Sequence, residues 1–378
     1  MMHKGKHYLV TGGAGLIGSH LVDALIDAGA QVTILDNLDA QTHPHGKPSW
    51  LNPKARFIHG DCRKREDWQQ ALSDGVEYVF HQAAFGGFTP QLSQYMDTNA
   101  SGTALMFEVI RDHKLPIKKI VVASSQAVYG ESGYLSGAEP YYPTTLRPLK
   151  QLQEGRWEIE HPQTGEKLRP ILNPEYRPLH TETIYGVSKL AEEKLAIGIG
   201  RSLGIPVTAL RYAVTYGPRQ SLFNPYTGVV SIFSTQLLNN IAPVVFEDGE
   251  QSRDLLYVSD NVAANMMVME KAEADYQVYN VGRGEAVSIN RLVGLLAHHY
   301  QKNIAPQHTG EFRPGDVRHF VHDASRIRAL GWQPRVSLEK GLGKYAEWIL
   351  QQGNVREYFS SAREKMRGSG IVRPPASA

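Results

Sequence analysis

The segment Thr11-Gly12-Gly13-Ala14-Gly15-Leu16-Ile17-Gly18 constrains this chain more than any other stretch. It follows a short apolar run, His7 to Thr11, and opens a stretch from Leu16 to Ala28 in which Leu16, Ile17, Leu21, Leu25 and Ile26 recur at helical spacing. Strand, glycine turn and helix in that order place backbone N–H groups and a helix dipole where a pyrophosphate can be held. Gly12, Gly15, Leu16, Ile17 and Gly18 are therefore candidate cofactor contacts.

The strand signal repeats at Gln31–Leu35, Ala55–His59, Tyr78–His81, Ile120–Ser124 and Val207–Tyr212, with helical stretches between several of them. Such alternation predicts βαβ units and an α/β fold with a Rossmann-like, doubly wound parallel sheet. Asp36 closes the second strand, 18 residues beyond Gly18, where a carboxylate reaches the ribose hydroxyls of an adenosine. It would repel a 2′-phosphate, so NAD is favoured over NADP. Asp61, after the third strand, fits either an adenine contact or a simple turn.

Organisation along the chain is uneven. Periodicity fades between Glu131 and Pro178, a stretch rich in Pro, Tyr, Glu and Gly that reads as an insertion or lid. A strong helix resumes at Thr183. The expected division is a cofactor-binding domain over 1–213, a smaller mixed α/β substrate-binding domain over 214–365, and a flexible tail over 366–378. Helices are expected in the second part near Val229–Asn239, Val262–Lys271, Ile289–Tyr300 and Leu338–Gln352.

Composition removes several function classes. With 42% hydrophobic residues the chain can bury an ordinary core. Forty basic against 38 acidic residues give no broad footprint for nucleic acid or a membrane surface. The single cysteine, Cys62, cannot form an intramolecular disulfide, and no signal peptide or membrane-spanning run is evident, so a cytoplasmic setting is expected. No metal site is expected. The 15 histidines are scattered, and His3 and His7 are separated by Gly5 with His7 already opening a strand.

The chemistry gathers at two further stretches. Tyr185 and Lys189, in Tyr185-Gly186-Val187-Ser188-Lys189, stand four apart on one helix face, which holds a phenol beside an ammonium. Free tyrosine titrates near ~10, and a neighbouring cation favours its phenolate, so Tyr185 is a candidate general base. Ser125, in Ser124-Ser125-Gln126-Ala127-Val128-Tyr129-Gly130, follows a strand and can hydrogen-bond a reacting alcohol.

In this order the motifs resemble the extended short-chain dehydrogenases, the NAD-dependent sugar-nucleotide epimerases and dehydratases. Asn99-Ala100-Ser101-Gly102-Thr103, Leu210-Arg211, Tyr216-Gly217-Pro218-Arg219, Asp248-Gly249, Gln251-Ser252-Arg253-Asp254 and Asn280-Val281-Gly282 add to the match, which spans roughly residues 6–350. The resemblance implies Ser125, Tyr185 and Lys189 as the catalytic set, and NAD contacts also from Asn37, Cys62, Ala83, Ala84, Asn99, Tyr185 and Lys189. It implies a nucleotide-sugar substrate contacted by Ser125, Gln126, Asn224, Arg253 and Arg313, the two arginines on the diphosphate. It also implies a homodimer built on the helices near 102–112 and 185–203.

Dehydratases of this family resemble one another in carrying Asp-Glu directly after the catalytic Ser or Thr; Gln126-Ala127 stands here. Neither residue moves a proton, so 4-epimerisation through a transient 4-keto sugar is the expected reaction. Two departures stand out: Tyr185 lies 60 residues after Ser125, more than is familiar in the family, and Val214 replaces a common Asn. The insertion together with the stretch from Tyr216 to Gly228 resembles the dTDP-L-rhamnose 4-epimerase branch. UDP-hexose 4-epimerases, 4-keto-sugar reductases and, from another class, a non-catalytic NAD-binding sensor are the competing readings.

Overall fold

The computed structural model describes residues 3–86, 91–224, 228–353 and 355–376. A sheet of seven parallel strands forms its centre: β1 (His7–Thr11), β2 (Gln31–Asp36), β3 (Arg56–His59), β4 (Tyr78–His81), β5 (Lys119–Ser125), β6 (Val207–Tyr212) and β7 (Val278–Val281). Their order in space is β7-β6-β5-β4-β1-β2-β3. The winding direction changes between β1 and β4, so the cleft beyond the carboxyl ends of these strands is the place for a ligand.

Nine helices of the described chain matter here: α1 (Leu16–Asp27), α2 (Arg65–Ala71), α3 (Gly102–Asp112), α4 (Ile184–Leu203), α5 (Val229–Leu238), α6 (Val258–Glu270), α7 (Ile289–His299), α8 (Leu338–Leu350) and α9 (Phe359–Gly368). Leu21, Val22 and Leu25 of α1 meet Val262 and Val268 of α6 on one sheet face. Trp68, Met106, Phe107, Ile110 and Ala196 cover the other. A third core joins α5, α7 and α8 through Phe233, Leu292, Leu296, Leu342 and Tyr345.

Two sequence expectations, the domain boundary and the tail, change in space. The boundary after residue 213 does not hold: β7 pairs with β6, with Val278 opposite Ala209, and α6 packs on α1, so residues 258–281 complete the cofactor-binding unit. Apolar strand edges that can pair in parallel do so, whatever their distance along the chain.

The insertion, 131–178, is clamped to the second half of the chain. It carries short antiparallel strands, Tyr134–Ser136 and Glu139–Tyr141, and is pinned by buried ion pairs. Arg147 pairs with Glu247 at 2.7 Å, and the fully buried Arg318 meets Glu158 at 2.5 Å, Glu247 at 3.0 Å and Asp248 at 2.7 Å.

The expected tail is ordered as far as it is described. α9 reaches Gly368, Arg363 and Arg367 each pair with Glu311 at 2.5 Å, and Phe312 and Arg373 bridge antiparallel. Val372 and Met366 bury against Val244 and Phe359, which offsets the ordering entropy a Gly- and Pro-rich segment would otherwise keep. No helix of the described residues is long and apolar enough to cross a membrane.

Candidate active site

The glycine turn closes tightly over the switch point. Gly12 sits at φ +64°, and a Cβ there would lie 2.8 Å from the Ala83 nitrogen. A Cβ on Gly18 would lie 2.1 Å from the Gly12 carbonyl oxygen, so α1 can approach the turn only with glycine at that position. Gly15 begins α1 without a capping side chain, which leaves the amides of its first turn, at Leu16 and Ile17, to an anion.

Asp36 braces this turn. Its Oδ2 accepts from the Ala14 amide at 2.9 Å and its Oδ1 from the Leu38 amide at 2.9 Å. Each oxygen keeps a further lone pair with which it could accept from a ribose hydroxyl. Asn37 turns inward on its own loop, its Oδ1 accepting from the Asp39 amide at 3.1 Å. The loop after β4 is hung from Thr11, whose Oγ1 accepts from the Gln82 and Ala83 amides at 3.1 Å, and Ala84, which follows, is exposed. A cradle of glycine, open helix start and carboxylate fits NAD.

Other expected cofactor contacts are already engaged. Asp61 is held by Arg63 at 2.6 Å; burial works to raise its carboxyl, but the Arg63 hydrogen bonds prevail and hold it below the usual range. The Cys62 side chain lies in the core, where burial pushes its thiol far up, so only its backbone can serve a ligand. Asn99 is fully buried and clamps the β4 loop to α4: it accepts from the Phe85 amide at 2.8 Å and donates to the Phe85 carbonyl and to Ser188 Oγ, each at 2.9 Å.

Ser125 ends β5 and Tyr185 occupies the first turn of α4, whose start is capped by Thr183 Oγ1 accepting from the Gly186 amide at 3.1 Å. Both line a cavity of about 760 Å³ with Gln126, Arg253 and Arg313. The Tyr185 ring lies edge-on to Tyr95, with centroids 6.4 Å apart, and a Cβ on Gly86 would come within 3.3 Å of it. One turn further along α4 Lys189, 1% exposed, forms an ion pair with Glu192. Burial pushes the Glu192 carboxyl up, and the ion pair with Lys189 pulls it back toward the charged form.

The two arginines converge on one carboxylate. Asp316 accepts from Arg253 Nη2 at 2.9 Å and from Arg313 Nη2 at 2.7 Å. Burial opposes ionisation of Asp316, but the two guanidinium groups outweigh it and hold the carboxyl at about 2. Two guanidinium groups gathered on an anion at the cavity wall suit a diphosphate equally well. Beyond them the wall turns apolar, with Val244, Phe246, Phe359 and Ile371.

Asn224 lies elsewhere: its Oδ1 accepts from Gln41 Nε2 at 3.1 Å on the loop after β2. The motif from Tyr216 to Gly228 continues through 225–227, which lie outside the described residues. Sequence reasoning missed Glu192, Gly86 and the C-terminal residues Ile371 and Arg373 that line the cavity. Only Gly86 carried a local signal, as one of two adjacent glycines after a strand. No group of three metal-ligating side chains occurs among the described residues.

The family model for the NAD dependent epimerase/dehydratase family matches residues 8–149 and 163–282. This chain belongs to that family. The dTDP-L-rhamnose 4-epimerase of Burkholderia thailandensis is 33% identical over 354 residues, covering 92% of this chain and 96% of the relative. A putative UDP-glucose 4-epimerase of Methanocaldococcus jannaschii is also 33% identical, over 353 residues, covering 90% of this chain and 97% of its own. Among solved structures, the UDP-glucose 4-epimerase of Thermotoga maritima with UDP-glucose superposes with a TM-score of 0.74 at 31% identity, over 92% of this chain and 100% of that one.

Proposed function

We propose that this NAD-dependent enzyme epimerises a nucleotide-diphosphate sugar at C4, with dTDP-L-rhamnose as the substrate. One observation carries the reading: Ser125, Tyr185, Arg253 and Arg313 line a single cavity in which Gln126 and Ala127 stand where an eliminating enzyme needs an acid and a base. NAD, when bound, supplies reversible hydride acceptance at C4. Tyr185 takes the proton of the C4 hydroxyl and later returns it, Ser125 holds that oxygen, and Lys189 favours the phenolate. Arg253 and Arg313 retain the diphosphate while the ketone turns to present its other face.

The nucleotide and sugar rest on finer support, namely the Burkholderia relative and the clamped insertion. A UDP-hexose substrate is the second reading, favoured by the relative of equal identity named for UDP-glucose. Incubation of purified protein with dTDP-, UDP- and GDP-sugars, without added reductant, separates them. Interconversion of dTDP-L-rhamnose and its 4-epimer is the expected result. Turnover of UDP-hexoses alone transfers the assignment to the second reading, and stoichiometric NADH consumption in a parallel incubation supplied with it, where the reductant-free one shows no epimer, identifies a reductase.

A further inference from the structure

Glu192 and Glu193 are adjacent on α4, and both are fully buried. Glu193 has a structural account. It accepts from Ser124 Oγ at 2.7 Å and from Arg211 at 2.7 and 2.9 Å, which ties α4 to β5 and β6. Glu192 is different: one oxygen pairs with Lys189 Nζ, and the other, Oε1, is buried with no protein partner.

The groups around this pair leave Glu192 as its counter-charge. His81 on β4 is buried and kept neutral, pushed down to about 3 by burial and then by Lys189, with its ring nitrogens bonded to Thr11 and Thr103 at 2.7 and 2.9 Å. Burial pushes up both the Cys62 thiol, after β3, and the Tyr212 phenol, on β6, so neither supplies an anion. Glu193 is engaged by Arg211. An ammonium as buried as Lys189 keeps its proton only opposite a negative charge.

We propose that Glu192 is a positioning residue: it holds Lys189 charged and set along α4, so that the ammonium supports the phenolate of Tyr185. This rests on the role given to Tyr185 and Lys189 above. Nothing in the apolar packing there requires a second carboxylate, and a purely structural residue would act on stability without touching the titration of the tyrosine.

The test compares Glu192→Gln, an isosteric neutral change, with Glu192→Asp, in the NAD-loaded protein. Tyrosinate absorbance of each protein minus that of its Tyr185→Phe counterpart, followed against pH, reads Tyr185 whether or not a sugar turns over. The expected result is an upward move of that titration by about one unit in Glu192→Gln, partly restored in Glu192→Asp, with bound NAD unchanged. Turnover is expected to fall about tenfold or more at neutral pH with KM within twofold. The loss should also vanish in a Lys189→Met background, because the two changes act on one interaction. An unmoved or lowered titration, or losses that add in the double variant, would overturn the proposal. Wild-type protein that converts no nucleotide sugar would sink the epimerase reading instead, and the titration would still decide the role of Glu192.

Discussion

The cofactor end and the substrate end of this cleft are built in opposite ways. The cofactor end is local: the turn at 12–18, Asp36 and the loop hung from Thr11 come from the first 86 residues and brace one another through backbone amides donating to the side chains of Asp36 and Thr11. The substrate end is assembled from distant segments, with the wall around Arg253 and Arg313 completed by Leu146, Phe246, Phe359 and Ile371. A site made from one short stretch of chain can persist while its partner site changes. Substrate choice is thus free to vary over a constant hydride-transfer end.

Four changes break or sharpen that contrast. The largest effect is expected for Tyr185→Phe, which removes the proposed base but no cofactor contact of the glycine turn: kcat falls by about 10²–10⁴ while bound NAD stays near wild type. Equal loss of NAD would merge the two ends. Next, Gly12→Ala sets a Cβ 2.8 Å from the Ala83 nitrogen at a φ of +64°, so co-purified NAD should be largely lost while circular dichroism keeps the α/β signature.

A truncation after Gly368 should act only at the other end. It removes Ile371 and Arg373 from the cavity wall, so KM rises about three- to tenfold with NAD content and kcat little changed. The smallest effect is on stability. Hydrogen bonding from His319 foremost, together with Arg318 and against burial, holds Glu158 at about 2 rather than its ordinary 4.5. A lowered carboxyl stabilises the fold above its ordinary value and loses that contribution as pH falls through the native one. The melting-temperature gap between wild type and Glu158→Gln should therefore be full above pH 4.5 and close toward pH 2, with the insertion unclamped in the variant.

What the sequence disclosed follows the same division. The glycine turn, Asp36 and the Tyr185–Lys189 pair are local patterns whose spacing already states their geometry, so β1 to β6 and the placing of Tyr185 and Lys189 on one helix were legible. β7 was not separable from the second domain, because strand pairing at 278–281 is a long-range event. Asn99 was read as a cofactor contact, and only its burial shows that its amide is spent on Phe85 and Ser188. Glu192 carried no signal in the sequence, because only its burial beside Lys189 sets it apart. The C-terminal segment has no periodicity of its own; its order comes from Glu311, about 50 residues earlier, catching Arg363 and Arg367.

The central claim is that hydride leaves C4 and returns to C4 within one active site. Incubating the purified protein, without added cofactor or reductant, with dTDP-L-rhamnose carrying deuterium at C4 tests it most directly. The account predicts that the 4-epimer forms and that both isomers keep the deuterium at C4 in ordinary water. Loss of the label to solvent, or release of a 4-keto sugar in place of the epimer, would contradict it.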